Sequence, residues 1–207
     1  MAIEKIAYHL GRRDEVPNKE LAAELAQTKD VDDIAEIASF LEDKNKSIAS
    51  DCIVVLYQVG YLAPDLIAPY VGSFLQLLDS KINRMVWGSM IALSTIAGLV
   101  PQKIYPHFDR IKHHIQTGTV ITNVSGVRTL INLAGTGDPY YADLIDELLD
   151  LQKACRNVDF AKRAEEVAAV LKDNDLPQFI EILKARRSDL SKSAQKRLGK
   201  LLRSLEE

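Results

Sequence analysis

The 207-residue chain is 47% hydrophobic and 27% charged, the balance of a folded globular protein, which excludes disordered and fibrous classes. With 10 glycines and 6% aromatics it lacks the turn-rich makeup of an all-β chain, and a net charge of −3 does not by itself announce nucleic acid or a membrane surface. No apolar run approaches the roughly 18 residues of a membrane span, and the first ten residues contain no signal-peptide core. The two cysteines, Cys52 and Cys155, make no disulfide framework and point to a reducing, cytoplasmic setting.

Apolar spacing and helix-end residues predict helices at about 2–11, 18–27, 31–42, 45–60, 65–79 and 82–98, then at about 102–116, 119–135, 139–154, 156–172, 175–187 and 190–205. Ile48, Cys52, Val55, Leu56 and Val59 recur at steps of three and four, one helical face. Shifted by 37 residues the stripe becomes Met85, Ser89, Ala92, Leu93 and Ile96, and shifted again Thr122, Gly126, Thr129, Leu130 and Leu133. The intervening segments carry stripes of their own, such as Leu66, Tyr70, Val71, Phe74, Leu75 and Leu78.

The punctuation has the same period. Gly60, Gly98 and Gly135 lie 38 and 37 residues apart, and Pro64, Pro101, Pro139 and Pro177 lie 37, 38 and 38 apart. Glycine tolerates the left-handed conformation after a helix, and proline lacks the N–H that a first turn leaves unpaired, so these positions read as stops and starts. Short helix pairs cannot bury their apolar faces alone, and the pattern therefore predicts one continuous all-α domain over residues 1–207.

Pro69 through Asp79, followed by Met85-Val86, Ser89 and Ala92-Leu93, resembles the HEAT repeat, a helix-pair family akin to armadillo repeats. Leu41-Glu42-Asp43 with Ile48, Cys52 and Leu56 fits the same order, as does Leu190, Ala194, Leu198 and Leu201. The resemblance implies an α-solenoid of about six HEAT-like helix pairs forming a right-handed superhelix. The family's arginine position here carries Ala49, Val86, Asn123, Ala161 and Ser191, so apolar packing has to replace the family's polar ladder with the turn Asp.

The resemblance further implies a concave surface lined by second helices that binds a partner. Between the core stripes those helices present Tyr57, Arg84, Trp87, Arg128, Lys162 and Arg163, a basic, aromatic-containing groove suited to a protein or peptide. The same residues also fit a solvated face, and Trp87 also fits a gap-filling role between repeats. Charge alternates along the chain: residues 14–43 carry ten acids and two bases, and residues 181–207 eight bases and four acids. This is either a dipolar surface for a partner or the polar ends that a solenoid needs.

The functional expectation is a non-enzymatic protein-interaction scaffold without cofactor or membrane. The alternative is a nucleic-acid-binding protein like the DNA-alkylation-repair members of the HEAT-like class, although a single Trp and a pI near 5.9 depart from that pattern. His107 and His114 lie two helical turns apart, about 10 Å along the axis, too far for one zinc ion. Cys52 reads as a core residue, and Cys155, beside Lys153 and Arg156, as a thiol whose pKa two cations would lower. No phosphate loop or nucleophile elbow is present, and Gly135-Thr136-Gly137 reads as a helix stop and restart.

Overall fold

A computed structural model describes residues 1–206, and among them every regular element is helical. They comprise α1 (Val16–Thr28), α2 (Val31–Ser39), α3 (Lys46–Leu62), α4 (Val71–Leu77), α5 (Asn83–Ile96) and α6 (Pro101–Ile104), then α7 (Phe108–Thr117), α8 (Val120–Ala134), α9 (Tyr140–Lys153), α10 (Asn157–Ala168), α11 (Leu176–Arg186) and α12 (Lys192–Glu206). The chain divides into two compact units, residues 1–129 and 130–207.

In the first unit α3 is the central element, packing most extensively on α1 and on α5, with α2 also against it. Its Ile53, Val54, Val55 and Leu56 are all fully buried, so this helix is apolar around its circumference rather than along one stripe. The helix α5 is similarly enclosed from Gly88 through Ser94. In the second unit α9 packs on α10 and α11, and α12 packs on α10 and α11, around Phe160, Phe179, Leu144, Leu148 and Leu198.

Three predicted helices take a different form. Residues 2–11 make a 3-10 turn at Ala2–Lys5 followed by turns. The N–H of Ala7 donates to Asn18 Oδ1 at 2.8 Å and that of Tyr8 to Asp51 Oδ2 at 2.8 Å, so side chains from α1 and α3 take the donors that a helix would use. Residues 65–79 and 102–116 are each broken by 3-10 turns before α4 and α7. Pro69 and Pro106 sit at the breaks, where proline removes a helix donor and clashes with the preceding turn.

Of the repeated glycines, Gly98 and Gly135 follow the ends of α5 and α8 as expected, but neither takes the left-handed conformation. Positive φ occurs, among the described residues, at Gly11, Gly137 and Lys29 only. Gly60 lies inside α3, which ends at Leu62 because Ala63 precedes Pro64 and leaves the helical conformation, with φ −149° and ψ 73°. The prolines fall at helix starts as expected, with Pro101 opening α6 and Pro177 in the first turn of α11.

Polar links between helices are mostly exposed. Asp79, the turn aspartate, does meet an arginine: Arg110 from α7, at 2.5 Å, with Asp79 69% exposed. Pairs of this kind contribute at most about 1 kcal/mol each, so apolar burial dominates.

Two tests follow from this packing. Leu93→Asp, which buries a carboxylate at a fully enclosed position, is expected to cost several kcal/mol and abolish a cooperative melt. By contrast Lys192→Ala, at an exposed site, should shift stability by less than about 0.5 kcal/mol. Equal losses in thermal melts would contradict this placement of the core.

Alanine at Gly88 would put its Cβ 2.8 Å from Ile53 Cγ1, whereas Gly72 in α4 faces open space. Gly88→Ala is therefore expected to destabilise by about 1–3 kcal/mol through overpacking. Gly72→Ala should stabilise by up to about 0.5–1 kcal/mol through helix propensity. Urea melts that give both changes the same sign would count against the close approach of α3 and α5.

Candidate functional site

One stripe of α3 contains Ser47, Ser50, Val54, Tyr57 and Tyr61 at steps of three and four, and α5 contributes Arg84 and Trp87 one turn apart. Three of the residues expected to bind a partner meet here. The Tyr57 and Trp87 rings are 6.0 Å apart and tilted by 53°, and the Arg84 guanidinium lies 5.4 Å from the centre of the Trp87 ring. Tyr61 extends the row, its ring edge-on to Tyr57 at 6.3 Å.

These side chains are unequally exposed: Tyr57 is buried, Trp87 and Arg128 are half-buried, and Tyr61 is exposed. Burial pushes the Tyr57 hydroxyl up to about 12, with the Glu15 carboxylate adding to the effect. It also raises that of Tyr61, which the Arg128 cation partly offsets. Both phenols thus remain protonated near neutral pH, amphipathic rings of the kind that anchor interfaces.

Arg84 joins this aromatic row to a polar cleft of about 690 Å³. One wall is the irregular chain from Ala7 to Glu15 and the other the first turns of α3, from Lys46 to Asp51. Arg84 Nη2 donates to Glu15 Oε1 at 2.5 Å, while its Nε is buried without a partner. The cleft wall at residues 8–15 was hidden in the sequence within a predicted helix and the charged run after it. Its one visible sign was Gly11 followed by Arg12, Arg13, Asp14 and Glu15.

Of the three remaining expected residues, Arg128 lies on α8, where its charge reaches Tyr61, and the other two lie in the second unit. Lys162 is exposed on α10, whereas Arg163 is 7% exposed and donates through Nη1 to the Leu151 carbonyl at 3.1 Å. That carbonyl belongs to the last turn of α9, where helix acceptors lack intrahelical donors, so Arg163 caps a helix end. Arg186 does likewise at the same end, donating to the carbonyls of Lys153 and Cys155.

Cys155 corrects an expectation. Burial raises its pKa and outweighs Arg163, Arg186 and Arg156, which lower it. His114 is also governed by burial, which lowers its pKa, with His113 adding to the shift. Among the described residues no three His, Cys, Asp or Glu side chains are grouped to hold a metal ion, and no helix is long and apolar enough to cross a membrane.

No family model matches the chain, and no curated protein matches it. Solved structures do. A crystal structure described as an engineered protein, a Northeast Structural Genomics Consortium target, is similar over 100% of this chain and 97% of its own, with a TM-score of 0.63 and 16% identity. A second engineered protein from the same consortium is similar over 99% of this chain and 58% of its own, with a TM-score of 0.61 and again 16% identity. These likenesses carry the all-helical fold and nothing of function.

Both cysteines are free and buried, and burial pushes the Cys52 thiol up to about 12. Because its folded pKa lies above its ordinary value, the protonated form stabilises the fold below about pH 9, and that contribution is lost as pH rises toward 12. At pH 8 the native protein is therefore expected to react with a disulfide reagent far more slowly than the unfolded chain. Rapid titration of both thiols in the native state would contradict the enclosure of the two sites.

Proposed function

We propose that the chain is a HEAT-like solenoid scaffold, non-enzymatic, that binds a protein or peptide partner along the row formed by Tyr57, Tyr61, Arg84 and Trp87. The observation that carries this reading is the stacking of Arg84 on a half-buried Trp87. Arginine and aromatic side chains supply rigid contact area and directed hydrogen bonds, and they dominate binding hot spots. A peptide lying along α3 and α5 would cover the exposed face of Trp87 and meet the open cleft at one end. The solenoid itself rests on the recurrence of one punctuation at intervals of 37 and 38 residues, together with the packing of alternate helices, α1 on α3 and α3 on α5.

The nucleic-acid alternative fits this surface less well. Its cations gather in one cleft, and Arg163, expected to extend the basic groove, is buried against the end of α9, whereas a phosphate backbone calls for a continuous track of exposed cations.

The test is selection of a random displayed peptide library on the immobilised protein, with affinities read from Trp87, the sole tryptophan, by fluorescence. For variants that lack Trp87, a labelled peptide gives the readout. Selected peptides are expected to bind the native protein and to lose at least about tenfold in affinity on Trp87→Ala or Arg84→Ala. Failure to enrich any peptide, or salt-sensitive binding of duplex DNA or RNA in its place, would overturn the reading.

A further inference from the structure

The cleft beside Arg84 has an imbalance between its donors and its acceptors. Its three carboxylates have every oxygen engaged within the protein. Asp51 accepts from Asn18 Nδ2 at 2.9 Å and from the Tyr8 N–H at 2.8 Å. Asp14 accepts from Arg12 through both oxygens, and from the N–H of Val16. Glu15 accepts from Arg84 at 2.5 Å through one oxygen and faces Lys19 Nζ at 3.6 Å with the other.

The donors are not matched in this way. Among the described residues, Arg13, Lys46 and the hydroxyls of Ser47 and Ser50, all lining the cleft, have neither a hydrogen-bond acceptor nor an ion-pair partner. Arg84 adds a guanidinium whose Nε is buried and unpaired. Of the four cationic side chains in the cleft, Arg12 and Arg84 are paired with Asp14 and Glu15, which leaves Arg13 and Lys46 without a carboxylate, and the open hydrogen-bonding capacity is mostly of donors.

A ligand complementary to this surface must bring acceptors and negative charge. Paired cation–carboxylate contacts are short and strong when water is partly excluded, and the cleft is large enough for two or three side chains at about 690 Å³. Resting on the peptide-binding reading above, we infer that the cleft takes an acidic segment of the bound peptide. Its carboxylates meet Arg13, Lys46 and Arg84, while an adjoining apolar or aromatic residue lies on Trp87 and Tyr57. The acidic segment and the apolar residue are neighbours in the peptide because Arg84 belongs to both the cleft and the aromatic row.

The experiment compares peptides selected from the random library on the native protein and on Arg13→Glu/Lys46→Glu, both exposed positions, with thermal melts as a check of folding. Peptides selected on the native protein are expected to be enriched in Asp and Glu. They should lose at least about tenfold in affinity on the charge-reversed variant and weaken as salt is raised. Replacing Glu by Gln in a selected peptide should cause a similar loss. Peptides without acidic enrichment, or bound equally by both proteins, would overturn the acidic-segment inference while leaving peptide binding intact, provided that Trp87→Ala still weakens them. If no peptide is enriched at all, the peptide-binding reading fails and this inference with it.

Discussion

The side chains of Asn18 and Asp51 hold the chain at residues 7 and 8 against α1 and α3, and the candidate site depends on that tether. Asn18 is fully buried; its carbonyl oxygen accepts from the Ala7 N–H while its amide donates to Asp51, whose other oxygen takes the N–H of Tyr8. Of the two backbone donors, that of Ala7 is buried and would be costly to leave unpaired, while that of Tyr8 is exposed. Satisfying both from distant helices stops the N-terminal segment from winding as a helix. The chain that follows then forms the outer wall of the cleft and brings Glu15 to Arg84.

From there the physical links run inward. Arg84, oriented by Glu15, lies over Trp87, and Trp87 meets Tyr57 on α3. The other side of α3 is enclosed by α1 and α5, and α5 approaches closely enough that Gly88 has no room for a side chain beside Ile53. One helix, α3, therefore supplies both a wall of the cleft, at Ser47 and Ser50, and the two tyrosines of the row a few turns later, with Arg84 and Trp87 added from α5. Binding groups mounted on such an element keep their spacing, which lowers the ordering cost of recognition.

The helices were legible in the sequence because apolar periodicity is a local signal that burial enforces. It failed where the decisive contacts are distant: nothing within residues 2–11 reveals that Asn18 and Asp51 will take their donors. The glycine spacing answers to two causes: Gly98 and Gly135 follow the ends of α5 and α8, whereas Gly60 lies inside α3, where a Cβ would meet Thr95 and Ile67. Tyr57, Arg84 and Trp87 could be grouped in advance because each falls beside the apolar stripe of its helix, and the two helices, α3 and α5, pack on one another. Lys162 and Arg163 show the limit of that approach. One residue of helix turns the side chain by about 100°, and that step separates an exposed lysine from an arginine that caps α9.

Amide hydrogen exchange at Ala7 and Tyr8 is the most direct measurement of the tether that builds the site. Their N–H groups have only side-chain acceptors, so protection comparable to that of the α3 amides is expected at the buried Ala7, and exchange slower than that of an unstructured chain at the exposed Tyr8. Exchange of these two amides at the rate of an unstructured chain, while α3 stays protected, would contradict a cleft held together by Asn18 and Asp51.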